Sequence, residues 1–250
     1  MTTDVSYFEG NKAYHSRSNY KEVFTSMLNN IRCTDVNLGF ARSCLAIGPC
    51  DGKYEVEFIN HCASNVSKLL AVEPDNESVK YLRGSLGTSL PGVKSRVFET
   101  TLQKWKGVGD PVDLILMFQC LYYFQDDERK ELFKKMHDQW LTSGGCMAIS
   151  MRSRQLSPSI GQFLGVPCPQ WEDIVADLEN VGFTKLYEYD MHVVKDFSHP
   201  DDESLHKFYQ LKGKEFTLDR IRRAVKEFKE LIPNGQAHDI HTVAVFKRTD

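Results

Sequence analysis

The chain has 250 residues, of which 41% are hydrophobic and 26% are charged, as in an ordinary globular protein. Its length suits one α/β domain with insertions, or at most two small domains. The formal net charge of −3 gives no electrostatic reason to expect a nucleic acid or an anionic membrane as a partner.

Helices and strands are predicted to alternate through the first half of the chain. The four-residue spacing of Tyr20, Phe24 and Leu28 is typical of a helix face. Glycine and proline positions then divide the apolar runs from one another. Helices are predicted over 19–30, in a stretch ending at about 62, and from 77 to near Gly84–Gly87. Strands are predicted over 43–48, 67–73, 94–102 and 112–124, the last of which passes into a loop rich in aromatic residues.

The second half continues this alternation. An apolar stripe within 126–141 predicts another helix. Further helices are predicted over 170–181 and 216–231, and further strands over 144–153, 185–194 and 238–248. Such alternation predicts an α/β fold with a doubly wound, mostly parallel sheet. The long excursion at about 196–232 is predicted to form a helical cap at the carboxyl edge of the strands.

The segment "LAIGPCDGKYE" places a turn directly after the first strand. Gly48 and Gly52 are too close together for a phosphate loop, which needs four residues between its glycines. A dinucleotide fingerprint needs a third glycine, and Cys50 stands at its middle position. A plain strand-to-helix turn remains open on these residues alone.

Glu73, at the end of the second strand, favours a ligand at this turn. Neighbouring parallel strands end at the same edge, so its carboxylate faces the crevice and can accept both hydroxyls of a ribose. The combination of the glycine turn with Glu73 indicates a cofactor that contains adenosine. It does not decide between NAD and S-adenosylmethionine. The third strand ends in "FETT", with hydroxyls near an adenine edge, and the chain has no second mononucleotide-binding half. Both features favour S-adenosylmethionine.

At this point the chain resembles the class I S-adenosylmethionine-dependent methyltransferases, and within them the histamine N-methyltransferase family. The segments that carry the resemblance are "LAIGPCDGKYE", "LLAVEPDNES", "VFETT", "DLILMFQCLYYF" and "EDIVADLENVGFTKLYEYD". It implies a seven-stranded sheet with an antiparallel last strand, in a single domain over 1–250. A lid helix is expected at 10–38, a cofactor-binding core at 39–155, and the remaining sheet with its substrate cap at 156–250.

The resemblance also implies roles for individual residues. The implied cofactor-binding residues are Gly48, Gly52, Glu73, Ser78, Thr101 and Phe118. The implied substrate-binding residues are Tyr20, Phe24, Tyr122, Tyr123 and Phe208. Gln119 and His241 are expected to take part in catalysis, and the methyl acceptor is expected to be a nitrogen of a small imidazole or amine such as histamine.

Two substitutions distinguish this chain from the family pattern. The family has a glutamate for the substrate ammonium where this chain has Cys33, and nearby Asp35 is expected as its possible substitute. The family has an asparagine just before the threonine of the last strand, where this chain has His241. A histidine there titrates near neutrality and can act as a base or hydrogen-bond a carboxylate on the substrate.

Other functions stay open at this point. They are an O- or S-methyltransferase for a small molecule on the same fold, a catalytically silent binding protein, and an NAD-dependent reductase. The seven cysteines are odd in number and lack a CxxC pair, which favours reduced thiols in a cytoplasmic protein. The sequence has no metal-binding motif, so no metal is expected. It also has no apolar run near the ~20 residues that span a bilayer, so no membrane is expected. A monomer is expected.

Overall fold

One sheet of seven strands organises the protein in the computed structural model, which describes residues 6–166, 168–198, 209, 216–232 and 234–250. The strands are β1 (Ser43–Ile47), β2 (Lys68–Glu73), β3 (Lys94–Glu99), β4 (Val112–Phe118), β5 (Leu141–Gln155), β6 (Phe183–Asp196) and β7 (Gln236–Arg248). Their order in the sheet is β3-β2-β1-β4-β5-β7-β6. Only β7 runs antiparallel to its neighbours, β5 and β6. The predicted fold class is therefore confirmed.

Helices cover both faces of this sheet. They are α1 (Tyr7–Ser16), α2 (Tyr20–Ile31), α3 (Lys53–Cys62), α4 (Asn76–Ser89), α5 (Asp126–Lys135), α6 (Ile160–Leu164), α7 (Trp171–Val181) and α8 (Leu218–Glu230). A short 3₁₀ turn at Leu121–Tyr123 follows β4, and a π-helical segment at Met136–Trp140 follows α5. No helix in the described part of the chain has an apolar stretch long enough to cross a membrane.

The central strands are buried along nearly their whole length, as expected for parallel strands with helices on both sides. One apolar core lies between the sheet and the helices α2 to α4. A second lies between the other face and the helices α5 and α7. This arrangement leaves the carboxyl ends of β1, β2 and β4 at one shared edge.

The amino-terminal region differs from the single lid helix expected at 10–38. It contains two helices, α1 and α2, and the sequence reading missed α1. A capping box starts α1, because Ser6 accepts from the backbone of Glu9 and the Glu9 side chain accepts in return. The pattern Ser-x-x-Glu was the available signal. It was missed because α1 has only a weak apolar periodicity.

The helix after β2 also runs further than predicted. It passes Gly84 and Gly87 and ends at Ser89. Both glycines face open space, while Leu82 and Leu86 are buried on the opposite side of the helix. Burial of that apolar face therefore outweighs the roughly 1 kcal/mol that each glycine costs in a helix.

Candidate active site

A turn with three left-handed residues connects β1 to α3. Gly48, Cys50 and Gly52 have φ angles of 61°, 52° and 76°. The Gly48 N–H donates to the carbonyl of Val72 at 2.9 Å, which fixes the turn beside β2. At Gly52 the positive φ favours glycine, and a Cβ atom there would also lie 2.4 Å from a Leu82 methyl group, which would have to move.

Glu73 holds this turn directly. Its Oε2 accepts from the Cys50 N–H at 2.9 Å, and its Oε1 accepts from the Asp75 N–H at 3.0 Å. The side chain is buried, and burial raises the pKa of its carboxyl although these two hydrogen bonds oppose the shift. Each oxygen keeps a further lone pair that can accept a ligand hydroxyl. The carboxylate and the glycine turn thus form one unit.

The other residues assigned to the cofactor lie around this unit. Ser78 is buried at the start of α4, where its N–H and hydroxyl donate to Asp75 at 2.8 and 2.7 Å. Thr101 follows β3, whose end is joined to β2 because the Thr100 N–H donates to the Glu73 carbonyl at 3.2 Å. Phe118 ends β4 and is buried in the aromatic core beside Phe24 and Phe58.

A hydrogen-bonded network surrounds Gln119, directly after β4. Its Nε2 donates to the Ser150 hydroxyl at 3.0 Å and to the Tyr20 hydroxyl at 3.2 Å. Its Oε1 accepts from the Tyr122 hydroxyl at 3.0 Å. Tyr20 and Ser150 are themselves 2.8 Å apart through their hydroxyls. The amide of Gln119 is therefore held in a single orientation.

Backbone strain marks the same edge of the sheet. Cys50 and Gln119 are the two non-glycine residues with positive φ in the part of the chain that the structure describes. They follow β1 and β4, the strands between which the order of the sheet reverses. Ligands of open α/β sheets bind at such a switch point, and strained residues cluster at functional sites. The two strained positions point to the crevice between β1 and β4.

The predicted substrate residues do not all converge. Tyr122 is directed to Gln119 and accepts from the Arg152 N–H, whereas Tyr123 is half exposed and its hydroxyl meets that of Tyr7 at 2.5 Å. Tyr20 reaches the network through its hydroxyl, but Phe24 is fully buried in the core. Phe208 lies outside the described residues.

The position of the family's ammonium-binding glutamate lies away from the site in this structure. Cys33 and Asp35 are both exposed just beyond the end of α2. A helix of 12 residues spans about 18 Å, and Tyr20 lies at its opposite end. Asp35 therefore does not replace the family's ammonium-binding glutamate in this structure.

His241 is buried beside the network, with its ring centroid 5.3 Å from that of Tyr20. Both of its ring nitrogens lack a hydrogen-bond partner among the described residues. Burial lowers its pKa well below the ordinary value, and the charges of Lys195 and Arg152 lower it further. His241 is therefore neutral near pH 7.

Helix α1 supplies neighbours that the sequence reading missed. The Asn11 amide lies 3.5 Å from the Cys50 sulfur, and Phe8 stacks on Tyr81 of α4 at 4.2 Å. Together with the contact between Tyr7 and Tyr123, these place α1 over the edge of the crevice. The sequence signal that could have located Tyr7, Phe8 and Asn11 on a helix was the capping box that begins at Ser6.

A second buried carboxyl, Glu55, lies in the first turn of α3. Burial raises its pKa well above 4.5, and the charges of Asp51 and Glu73 add to the shift. Below pH 4.5 both the folded and the unfolded chain hold the proton. Above it the unfolded chain ionises first, so the free energy of unfolding falls as pH rises towards the folded-state pKa.

We expect Glu55→Gln to remove this pH dependence, because the amide does not titrate. Between pH 5 and pH 8 the wild-type protein should lose up to about 1.4 kcal/mol per pH unit within this window, and the variant should lose less. Urea unfolding at both pH values measures the difference. Glu131→Gln, at an exposed position on α5, is the control. Identical pH profiles for Glu55→Gln and the wild type would contradict this assignment.

The sequence matches no protein-family model and no curated protein. Among solved structures, a putative methyltransferase from Bacillus halodurans superposes with a TM-score of 0.62 at 12% identity, covering 90% of this chain and 98% of its own. The N-methyltransferase NodS from Bradyrhizobium japonicum, in complex with S-adenosyl-L-homocysteine, gives 0.53 at 14% identity, covering 99% and 90%. The chain has the class I methyltransferase fold.

A third similar structure is a putative sarcosine dimethylglycine methyltransferase from Galdieria sulphuraria, with a TM-score of 0.55 at 13% identity and coverage of 92% and 86%. At these identities the likeness concerns the fold, and a fold alone does not determine a reaction. None of the three is a histamine N-methyltransferase. That closer resemblance stays a prediction from the sequence motifs.

Proposed function

We propose that the protein is an S-adenosylmethionine-dependent methyltransferase that transfers a methyl group to a nitrogen of a small imidazole or amine. The observation that carries the proposal is the unit formed by Glu73 and the strained turn at Cys50. It lies at the ligand-binding edge of a class I methyltransferase fold. The neighbour with S-adenosyl-L-homocysteine bound has the same fold.

The residues at this edge fit such a cofactor. The unused lone pairs of Glu73 suit the two hydroxyls of a ribose, and the turn between Gly48 and Gly52 is proposed to lie beside the methionine part. Ser78, Thr101 and Phe118 are proposed to lie near the adenosine. When bound, S-adenosylmethionine supplies a methyl group already activated by a sulfonium, so the protein mainly has to align the acceptor and exclude water.

The network at Gln119 suits this aligning role. Its amide is fixed by Tyr20, Ser150 and Tyr122, so it can orient a neutral acceptor without changing its own charge. A nitrogen acceptor must present its lone pair and release a proton afterwards. Because burial and, after it, the nearby cations lower its pKa, neutral His241 is better suited to accepting a hydrogen bond from the acceptor than to storing that proton.

Cofactor binding and group transfer test this proposal separately. Calorimetry with S-adenosylmethionine should show binding at one site per chain. Methyl-labelled cofactor should then transfer label to members of a panel of amines and imidazoles, and less to acids without nitrogen or to phenols. Label on acids or phenols alone would favour an O-methyltransferase, and label on thiols an S-methyltransferase. Absence of cofactor binding would favour a catalytically silent protein.

We expect Gln119→Ala to lower kcat about 10-fold, because the one hydrogen bond that its Oε1 can still accept from the acceptor is lost. The affinity for S-adenosylmethionine should change less than about threefold, since Glu73 and the turn are untouched. Steady-state kinetics and calorimetry measure the two quantities. An unchanged kcat would remove Gln119 from the proposed catalytic residues.

We also propose that the protein acts as a monomer in the cytoplasm. The seven free cysteines are consistent with a reducing compartment. Sedimentation of the purified protein tests the oligomeric state.

A further inference from the structure

Three neighbouring strands bring a group of polar side chains to the acceptor side of the site. In the sheet, Arg152 of β5 pairs with His241 of β7, and Val193 of β6 pairs with Asp239 of β7. Side chains alternate along a strand, so Lys195 shares the face of Asp239 and His241. Ser150, which binds Gln119, is on the same face as Arg152. We call Arg152, Lys195, Asp239 and His241 the charged cluster.

The charged cluster contains two cations and one carboxylate. Lys195 Nζ lies 2.7 Å from Asp239 Oδ2, and both side chains are more than nine-tenths buried. Burial lowers the pKa of Lys195, but its proximity to Tyr14 and Asp239 outweighs burial, and the net shift is upward. Lys195 is therefore charged.

Within the described ranges, no carboxylate lies within ion-pair distance of the Arg152 guanidinium. It interacts with Cys168 and with the field of Asp239. Among the residues that the structure describes it forms no salt bridge, and Asp239 is already paired with Lys195. Its positive charge is mostly shielded from water, where an unpaired charge is costly. Counted over the described residues, the charged cluster thus has one more positive than negative charge.

His241 gives independent evidence that a ligand belongs here. Its two ring nitrogens are buried, and neither has a partner among the described residues. Buried polar atoms are nearly always hydrogen-bonded, so an unpartnered imidazole beside Tyr20 indicates a missing polar group. One carboxylate can accept from Arg152 and from the N–H of neutral His241 at the same time.

We infer that the charged cluster binds a carboxylate of the methyl acceptor, so that the acceptor is a nitrogen compound carrying an anionic group. The inference rests on the proposed function. It also agrees with the positions of Cys33 and Asp35, which are exposed beyond α2, at the opposite end of this helix from Tyr20. An ammonium group at this position would face two cations.

A matched pair of probes tests the inference. Histamine and imidazole-4-propionate share the imidazole ring and a two-carbon chain, and they differ in ending in an ammonium or a carboxylate. With S-adenosyl-L-homocysteine present, the wild-type protein should bind imidazole-4-propionate at least about 10-fold more tightly than histamine, and kcat/KM should follow the same order. Equal affinities, a preference for histamine, or binding of neither probe would overturn the inference.

Variants of two arginines on β5 locate the effect. Arg152→Gln should lower the ratio of the two affinities about 10- to 100-fold, because one charge-assisted contact is lost. Arg154→Gln is the matched control, since this arginine is 61% exposed and pairs with Asp190, and the ratio should stay unchanged. An unchanged ratio in Arg152→Gln would overturn the assignment to Arg152. Failure of the wild type to bind S-adenosyl-L-homocysteine would instead reject the proposed function.

Discussion

Replacing Glu73 with alanine is expected to weaken the binding of S-adenosylmethionine about 100-fold. Each hydrogen bond to a buried charged group contributes about 1.5 to 3 kcal/mol, and two ribose hydroxyls are proposed to donate to this carboxylate. Every 1.4 kcal/mol corresponds to about a tenfold change in affinity. The turn also loses its anchor, because Cys50 and Asp75 donate to the same side chain. Isothermal calorimetry measures the change directly.

The conservative variant Glu73→Gln separates these two contributions. Glutamine keeps the volume and one acceptor oxygen, but its NH₂ group cannot accept from a backbone N–H or a ribose hydroxyl. We expect a loss of about 10-fold, between the wild type and alanine. Glu131→Gln on the exposed face of α5 should leave the affinity unchanged. If both Glu73 variants bind as the wild type does, the carboxylate does not contact the cofactor.

The edge of the sheet that contains Glu73 was predictable from the sequence. The strand ends at Ile47 and Glu73 follow from short apolar runs, one closed by glycine and one by a carboxylate before proline. The end of β4 at Phe118 does not, since no such signal follows it and the strand was predicted to run over 112–124. Parallel neighbours then bring their ends together without further information. Local sequence patterns are enough to predict this edge, because the strands β1 and β2 whose ends form it are direct neighbours in the sheet.

The charged cluster was not predictable in the same way. Arg152, Lys195 and Asp239 are far apart in sequence, and the register of β5, β7 and β6 brings them together. That register is irregular near Arg152, so counting residues along the strands does not recover it. The end of α4 was also not predictable from local sequence. It extends past Gly84 and Gly87 because Leu82 and Leu86 are buried, and this burial depends on the tertiary fold.

Replacing Lys195 with methionine is expected to lower the free energy of unfolding by about 3 kcal/mol or more. The substitution leaves the Asp239 carboxylate buried without its ammonium partner, and breaking a buried ion pair from one side costs about 3 to 5 kcal/mol. Arg152 lies near enough to compensate in part, which favours the lower end of this range. For a chain of this size, such a loss lowers Tm by roughly 6 to 12 °C. Urea unfolding and thermal scans measure it.

Two further variants show whether burial causes this effect. Lys185→Met removes an ion pair with the same 2.7 Å separation, but its partners Lys185 and Glu188 are about one-third exposed, so the loss should stay below about 1 kcal/mol. The double variant Lys195→Met/Asp239→Leu removes both buried charges, and we expect it to recover most of the lost stability. Equal losses in Lys185→Met and Lys195→Met would mean that water reaches the Lys195–Asp239 pair. In that case the positive charge of Arg152 would also be solvated, and the electrostatic reason for a carboxylate on the acceptor would be lost.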